Sequence, residues 1–106
     1  MVLEIKSLDR DGVKKVMSVG KKSYIEKNMK FVYTKGRTET VYVSFSISKK
    51  VEKLATDRNR MKRIMRGALE KNKPNLKSFS GLFFIYNKEH IKETMIKLLK
   101  QERLLN

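Results

Sequence analysis

The chain has 106 residues, 40% of them hydrophobic and 35% charged, which is enough for one modest core and too little for two. Its 26 lysines and arginines face 11 acids for a formal net charge of +15, and cysteine is absent, which excludes a disulfide framework and a cysteine-based zinc site. No apolar run approaches the roughly 18–20 residues that span a bilayer, and MVLEIKSLDR lacks an apolar signal-peptide core, so a single cytoplasmic domain over residues 1–106 is expected.

In chain order, Leu8, Val13, Val16 and Met17 fit a short first helix, with Asp9 or Asp11 as its cap and Gly20 as its stop. Residues 21–28 are polar and basic and read as a loop, with room for a short edge strand around Tyr24 and Ile25. MKFVYT and TVYVSFSI are rich in β-branched and aromatic residues, and KGRTE between them predicts a hairpin turn. Within the second run Val41, Val43, Phe45 and Ile47 alternate with Tyr42, Ser44 and Ser46, so one face is core and the other small and polar.

A helix follows, with Thr56 or Asp57 as its cap. Met61, Ile64, Met65, Ala68 and Leu69 recur at helical spacing and form a buried stripe. Asn59, Lys62, Arg63 and Arg66 project on the opposite side, and Arg58 and Arg60 flank the stripe. No acid occurs from Arg58 to Leu69, so nothing within the helix neutralises this row. Asn72, Lys73 and Pro74 end the helix. GLFFIY is almost wholly apolar, as expected of a central strand covered on both faces. The last helix starts near Glu89, with Ile91, Met95, Leu98 and Leu99 inward. The predicted fold class is α+β, a two-layer sandwich in the order α-β-β-(β)-α-β-α, with residues 41–86 forming a βαβ unit.

A self-sufficient active site is hard to assemble from these residues. His90, the single histidine, has neither nucleophile nor acid partner nearby in sequence. Asp9, Asp11, Glu39, Asp57 and Glu70 lack the spacing of a carboxylate pair or a metal cage. Ser44, Ser46 and Ser48 alternate along a strand, and the glycines do not form a phosphate-cradling loop. No catalytic residue and no metal ligand is therefore assigned. The charge itself carries the information: so cationic a body repels itself, and a polyanion relieves the repulsion. Arginine adds a planar fork for phosphate and a surface for stacking, and arginines cluster at 58, 60, 63 and 66 while lysine dominates elsewhere. Lys49, Lys50 and Lys53 extend the patch. RNA is the expected partner. A membrane surface is not, because the apolar faces are needed for the core.

The run SFSISKKV, followed by RNRMKRIMR, resembles the strand end, lysine pair and RNR helix of the bacterial ribonuclease P protein subunit family. The order of elements agrees along nearly the whole chain. The resemblance implies the protein subunit of an enzyme that removes the 5′ leader from precursor tRNA, with a catalytic RNA subunit and a protein that is not catalytic alone. It implies a left-handed βαβ crossover, against the usual right-handed rule. It places Arg58, Asn59, Arg60, Lys62, Arg63 and Arg66 against the ribonuclease P RNA and nearby metal ions, with Lys49, Lys50 and Lys53 extending the contact. Mg²⁺ is expected mainly on the RNA and not on the protein alone.

The resemblance also implies a leader-binding cleft between the first helix and the sheet, here Val13, Met17, Phe31, Tyr33 and Tyr42. Val13 and Met17 stand where the family usually places two aromatics, Ser44 replaces a frequent glycine, and VEKLATD is one residue longer than usual. The expected partners are ribonuclease P RNA and precursor tRNA, with the chain a monomer in the ribonucleoprotein. Two alternatives stay open: another RNA-binding module, of ribosomal or RNA-chaperone type, and a DNA-binding domain with the basic helix in a major groove.

Overall fold

The structure, a computed structural model, describes residues 3–36 and 38–106. In chain order it runs β1 (Glu4–Ser7), α1 (Arg10–Val19), β2 (Lys21–Ile25), β3 (Met29–Lys35), β4 (Thr40–Ile47), α2 (Ala55–Lys71), a 3-10 turn (Lys73–Asn75), β5 (Phe79–Ile85) and α3 (Ile91–Gln101). The five strands form one mixed sheet in the order β1-β4-β5-β3-β2. This α+β arrangement of one sheet and three helices is the fold that the resemblance implies.

β5 holds the centre because it is the most apolar strand, and a central strand loses water on both faces. It pairs parallel with β4 (Phe45 opposite Phe83) and antiparallel with β3 (Phe31 opposite Phe83). The expected hairpin between the third and fourth strands is therefore corrected: β3 and β4 are not neighbours, since β5 inserts between them. Arg37, within the KGRTE turn of that expectation, lies outside the described residues. The hairpin present joins β2 to β3, with Ile25 opposite Met29. β1, unassigned in sequence, adds a parallel edge to β4, with Ile5 opposite Val41.

Residues of odd number in β3, β4 and β5 face α2 and α3. There Phe31 stacks between Tyr33 and Phe83, with ring centroids 4.8 and 4.2 Å away. Met61, Met65 and Leu69 from α2 and Ile91, Met95, Leu98 and Leu99 from α3 close this core. Gly81 is small by necessity, since a Cβ there would sit 2.5 Å from the Phe31 ring. Residues of even number face α1, where Val16, Val32 and Leu82 make a small separate cluster.

The helix bounds refine the expected caps. Asp9 caps α1, its carboxylate accepting from the Gly12 amide at 2.7 Å, while Asp11 lies in the first turn. α2 begins at Ala55, earlier than a Thr56 or Asp57 cap allows, and both residues lie inside its first turn. Ile64 leaves the buried stripe and is 41% exposed, on a groove between α2 and α3.

Candidate nucleic-acid interface

β1 pairs with β4 only as far as Ser7 and Val43, while β4 continues to Ile47. The sheet edge is thus open beyond Ser7, and α2 runs beside the opening. Ser7, Val43, Ser44 and Phe45 form one wall of a groove of about 580 Å³, and Asn59, Lys62, Arg63 and Arg66 form the other. Met61, Met65 and Leu69 hold α2 to the core and so set the rotation that turns Asn59 and the three cations toward the opening. Among the described residues no carboxylate lies within 4.0 Å of Lys62 or Arg63. Arg60 reaches Asp57 only at 4.0 Å, in solvent, where such a pair contributes little.

The other two arginines have partners inside the chain. Arg58 donates through Nη1 to the carbonyls of Glu52 and Lys53, at 2.9 and 2.7 Å. Arg66 donates through Nη2 to the Ile5 carbonyl at 2.6 Å and through Nη1 to Ser7 Oγ at 3.4 Å. The expectation that all four arginines form one free row is corrected here. Carbonyls at a strand edge and a loop lack ladder partners, and a neighbouring guanidinium satisfies them. Arg58 closes the loop before α2, and Arg66 pins β1 to it. Lys49, Lys50 and Lys53 are exposed and flank the start of α2, outside the groove. Glu52, beside them, is held below the usual carboxylate range by its hydrogen bond from Lys88, with further help from Arg58.

The predicted leader cleft does not assemble as one site. Phe31 and Tyr33 are buried on the far side of the sheet, in the core beneath α2 and α3. One residue of slip in strand parity exchanges the faces, and it is Lys30, Val32 and Thr34 that face α1. Tyr42 is on the α1 face and lines a groove of about 420 Å³ with Gly12, Lys15, Val16 and Val19. Met17 is exposed and Val13 half-buried, and helical phase turns both away from that groove. Across β2, β3 and β5 the same face carries Tyr24, Lys30 and Phe84, with the Lys30 ammonium 5.9 Å from the Tyr24 ring and 5.4 Å from that of Phe84. Strand alternation was the signal for this aromatic row, once the parity is known.

Tyr33 has a different task. Its hydroxyl donates to the Glu102 carboxylate at 2.7 Å, alongside Ser23 Oγ at 2.9 Å and the Lys21 ammonium at 3.1 Å. Burial, aided by that carboxylate, pushes the Tyr33 hydroxyl up to about 12. Burial also raises Glu102, but the hydrogen bonds from Tyr33, Lys21 and Ser23 outweigh it and hold the group below its ordinary value.

Among the described residues no cluster of three His, Cys, Asp or Glu side chains could hold a metal ion, and no helix is long and apolar enough to cross a membrane. A family model described as Ribonuclease P matches residues 8–105. No curated protein matches. Among solved structures, the RNase P protein of Staphylococcus aureus superposes with a TM-score of 0.79 at 15% identity, over 95% of this chain and 97% of that one. The RNase P protein of Thermotoga maritima gives 0.70 at 21% identity, over 87% and 91%. At such identities the likeness is one of fold.

Proposed function

This chain belongs to the ribonuclease P family, and from that premise we propose that it is a protein subunit that holds the ribonuclease P RNA in the α2 groove and the 5′ leader of precursor tRNA on the α1 face of the sheet. Membership associates it with the ribonuclease P enzyme and with tRNA processing. The observation that carries the reading is that Lys62 and Arg63, with no carboxylate within 4.0 Å among the described residues, line one groove with Asn59 beside an open strand edge. Guanidinium, ammonium, amide and hydroxyl groups in one groove suit phosphate and ribose.

The same donor set does not fit Mg²⁺, which takes oxygen ligands and carboxylates above all. In this reading the ion is held by the RNA. The protein's contribution is electrostatic and positional: it neutralises phosphates where two RNA chains converge, and so lowers the ionic strength at which they dock. For the leader, Tyr42 and Tyr24 offer exposed rings and Phe84 a half-buried one, and stacking one base on such a ring contributes roughly 1–3 kcal/mol.

Reconstitution tests this. With a bacterial ribonuclease P RNA at low Mg²⁺, the protein should restore cleavage of precursor tRNA. Arg63→Ala should weaken RNA binding uniformly and reduce the slope of log affinity against log salt by about one. RNA binding without any gain in cleavage would favour another RNA-binding module, and a preference for duplex DNA would favour the DNA reading.

A further inference from the structure

The opposite edge of the sheet carries a second cationic recess, of about 630 Å³, outside the surfaces assigned above. Lys21, Lys35, Lys77 and Arg103 line it, with Ser78 and Glu102. We propose that it is a second phosphate site, taking a backbone phosphodiester of the RNA that the α2 groove holds. This rests on the reading that the chain binds RNA.

Three observations support it. The recess is built by main-chain pairing. The Gly36 amide donates to the Ser78 carbonyl at 3.1 Å, and the Lys77 amide to the Leu104 carbonyl at 2.8 Å. Leu76 bridges Leu105, and the Asn106 amide reaches the Asn75 carbonyl at 3.1 Å. Three distant stretches of chain are thereby fixed side by side, each bringing a cation.

The one carboxylate present is already satisfied. Glu102 is 8% exposed in its side chain and accepts from Tyr33, Ser23 and Lys21. That leaves Lys35, Lys77 and Arg103, all exposed, with no carboxylate within 4.0 Å among the described residues. The negative end of α3 is muted as well, because the carbonyls of Leu98, Leu99 and Lys100 accept from the amides of Glu102, Leu104 and Arg103.

The third observation is Arg103 itself. Those last two bonds make a Schellman cap, whose turning residue adopts the left-handed conformation and is usually glycine. Here it is an arginine at φ 61°. Glycine would adopt that conformation without strain, so the backbone offers no reason for arginine, whereas a phosphate in the recess does. β2 lies three strand spacings from β4, roughly 15 Å, so an RNA filling both sites must wrap the molecule.

The test uses the full chain and a bacterial ribonuclease P RNA, with binding measured over a range of salt concentrations. The double variant Lys77→Ala/Arg103→Gly should weaken binding about tenfold and lower the salt slope by one to two, while its melting temperature stays level or rises. Arg103→Gly alone should weaken binding, and Arg103→Lys should keep most of the affinity that Arg103→Gly loses. If the double variant binds as wild type does while Arg63→Ala binds more weakly, the recess is not a phosphate site and the proposed function survives. If the wild-type chain binds no RNA, both fall.

Discussion

Arg66 and Arg63 lie one helical turn apart and have the same charge, yet they do different things in the free chain. Arg66 satisfies the Ile5 carbonyl and Ser7, whereas Arg63 has no partner of that kind among the described residues. Arg66→Ala should therefore cost about 1–2 kcal/mol of folding stability, measured by urea titration, and Arg63→Ala should cost nothing measurable. Equal stability for the two variants would show that the β1 anchor is without weight. Tyr33 gives a second prediction. Its raised value means that the folded chain keeps a proton that the unfolded chain releases. The stability it contributes is complete below its ordinary value of 10.0 and fades as pH climbs toward about 12. Glu102 works in the other direction: it is held low, so its contribution stands above the ordinary 4.5 and is lost as pH falls below that value. Tyr33→Phe should cost about 1.5–3 kcal/mol at neutral pH, and the difference from wild type should shrink at both extremes. A difference constant across pH would refute the coupling. None of these partners was legible in sequence, since each bond joins residues far apart in the chain.

At the scale of elements, α2 was the most legible part of the molecule. Met61, Met65 and Leu69 alone fix its buried side, and the cations follow from geometry. Gly67 is the weak point of that helix. It is exposed, and a Cβ there would meet nothing within 4 Å. Gly67→Ala should raise stability by about 1 kcal/mol, seen as a higher melting temperature with RNA affinity intact. A lower melting temperature would mean that the glycine serves a local conformation after all. The strands were less legible. Phe31, Val32 and Tyr33 are all buried, so no alternation reveals which of them faces α1. The pattern of TVYVSFSI did reveal its face, because Tyr42 and Ser46 remain in solvent. Strand neighbours were out of reach. KGRTE looks like a hairpin turn, and only the strong apolar character of β5, some forty residues later, decides that β3 and β4 stand apart.

The whole molecule is governed by its charge, +15 on 106 residues. Self-repulsion of this size is relieved by any multivalent anion that binds the folded state better than the unfolded one. Sulfate or phosphate should raise the melting temperature more than chloride at equal ionic strength, in a calorimetric scan. Identical gains from the three salts would indicate general screening in place of anion binding. The central position of β5 has a consequence for how the chain is made. A ribosome that has delivered residues 1–75 has delivered β1 with β4 and β2 with β3, two pairs of strands that share no edge. They join only when β5 leaves the exit tunnel and slots between them. Until then a highly basic nascent polypeptide is unfolded beside the largest mass of RNA in the cell. Truncation anywhere before Phe79 should therefore yield an open chain and not a smaller version of the fold.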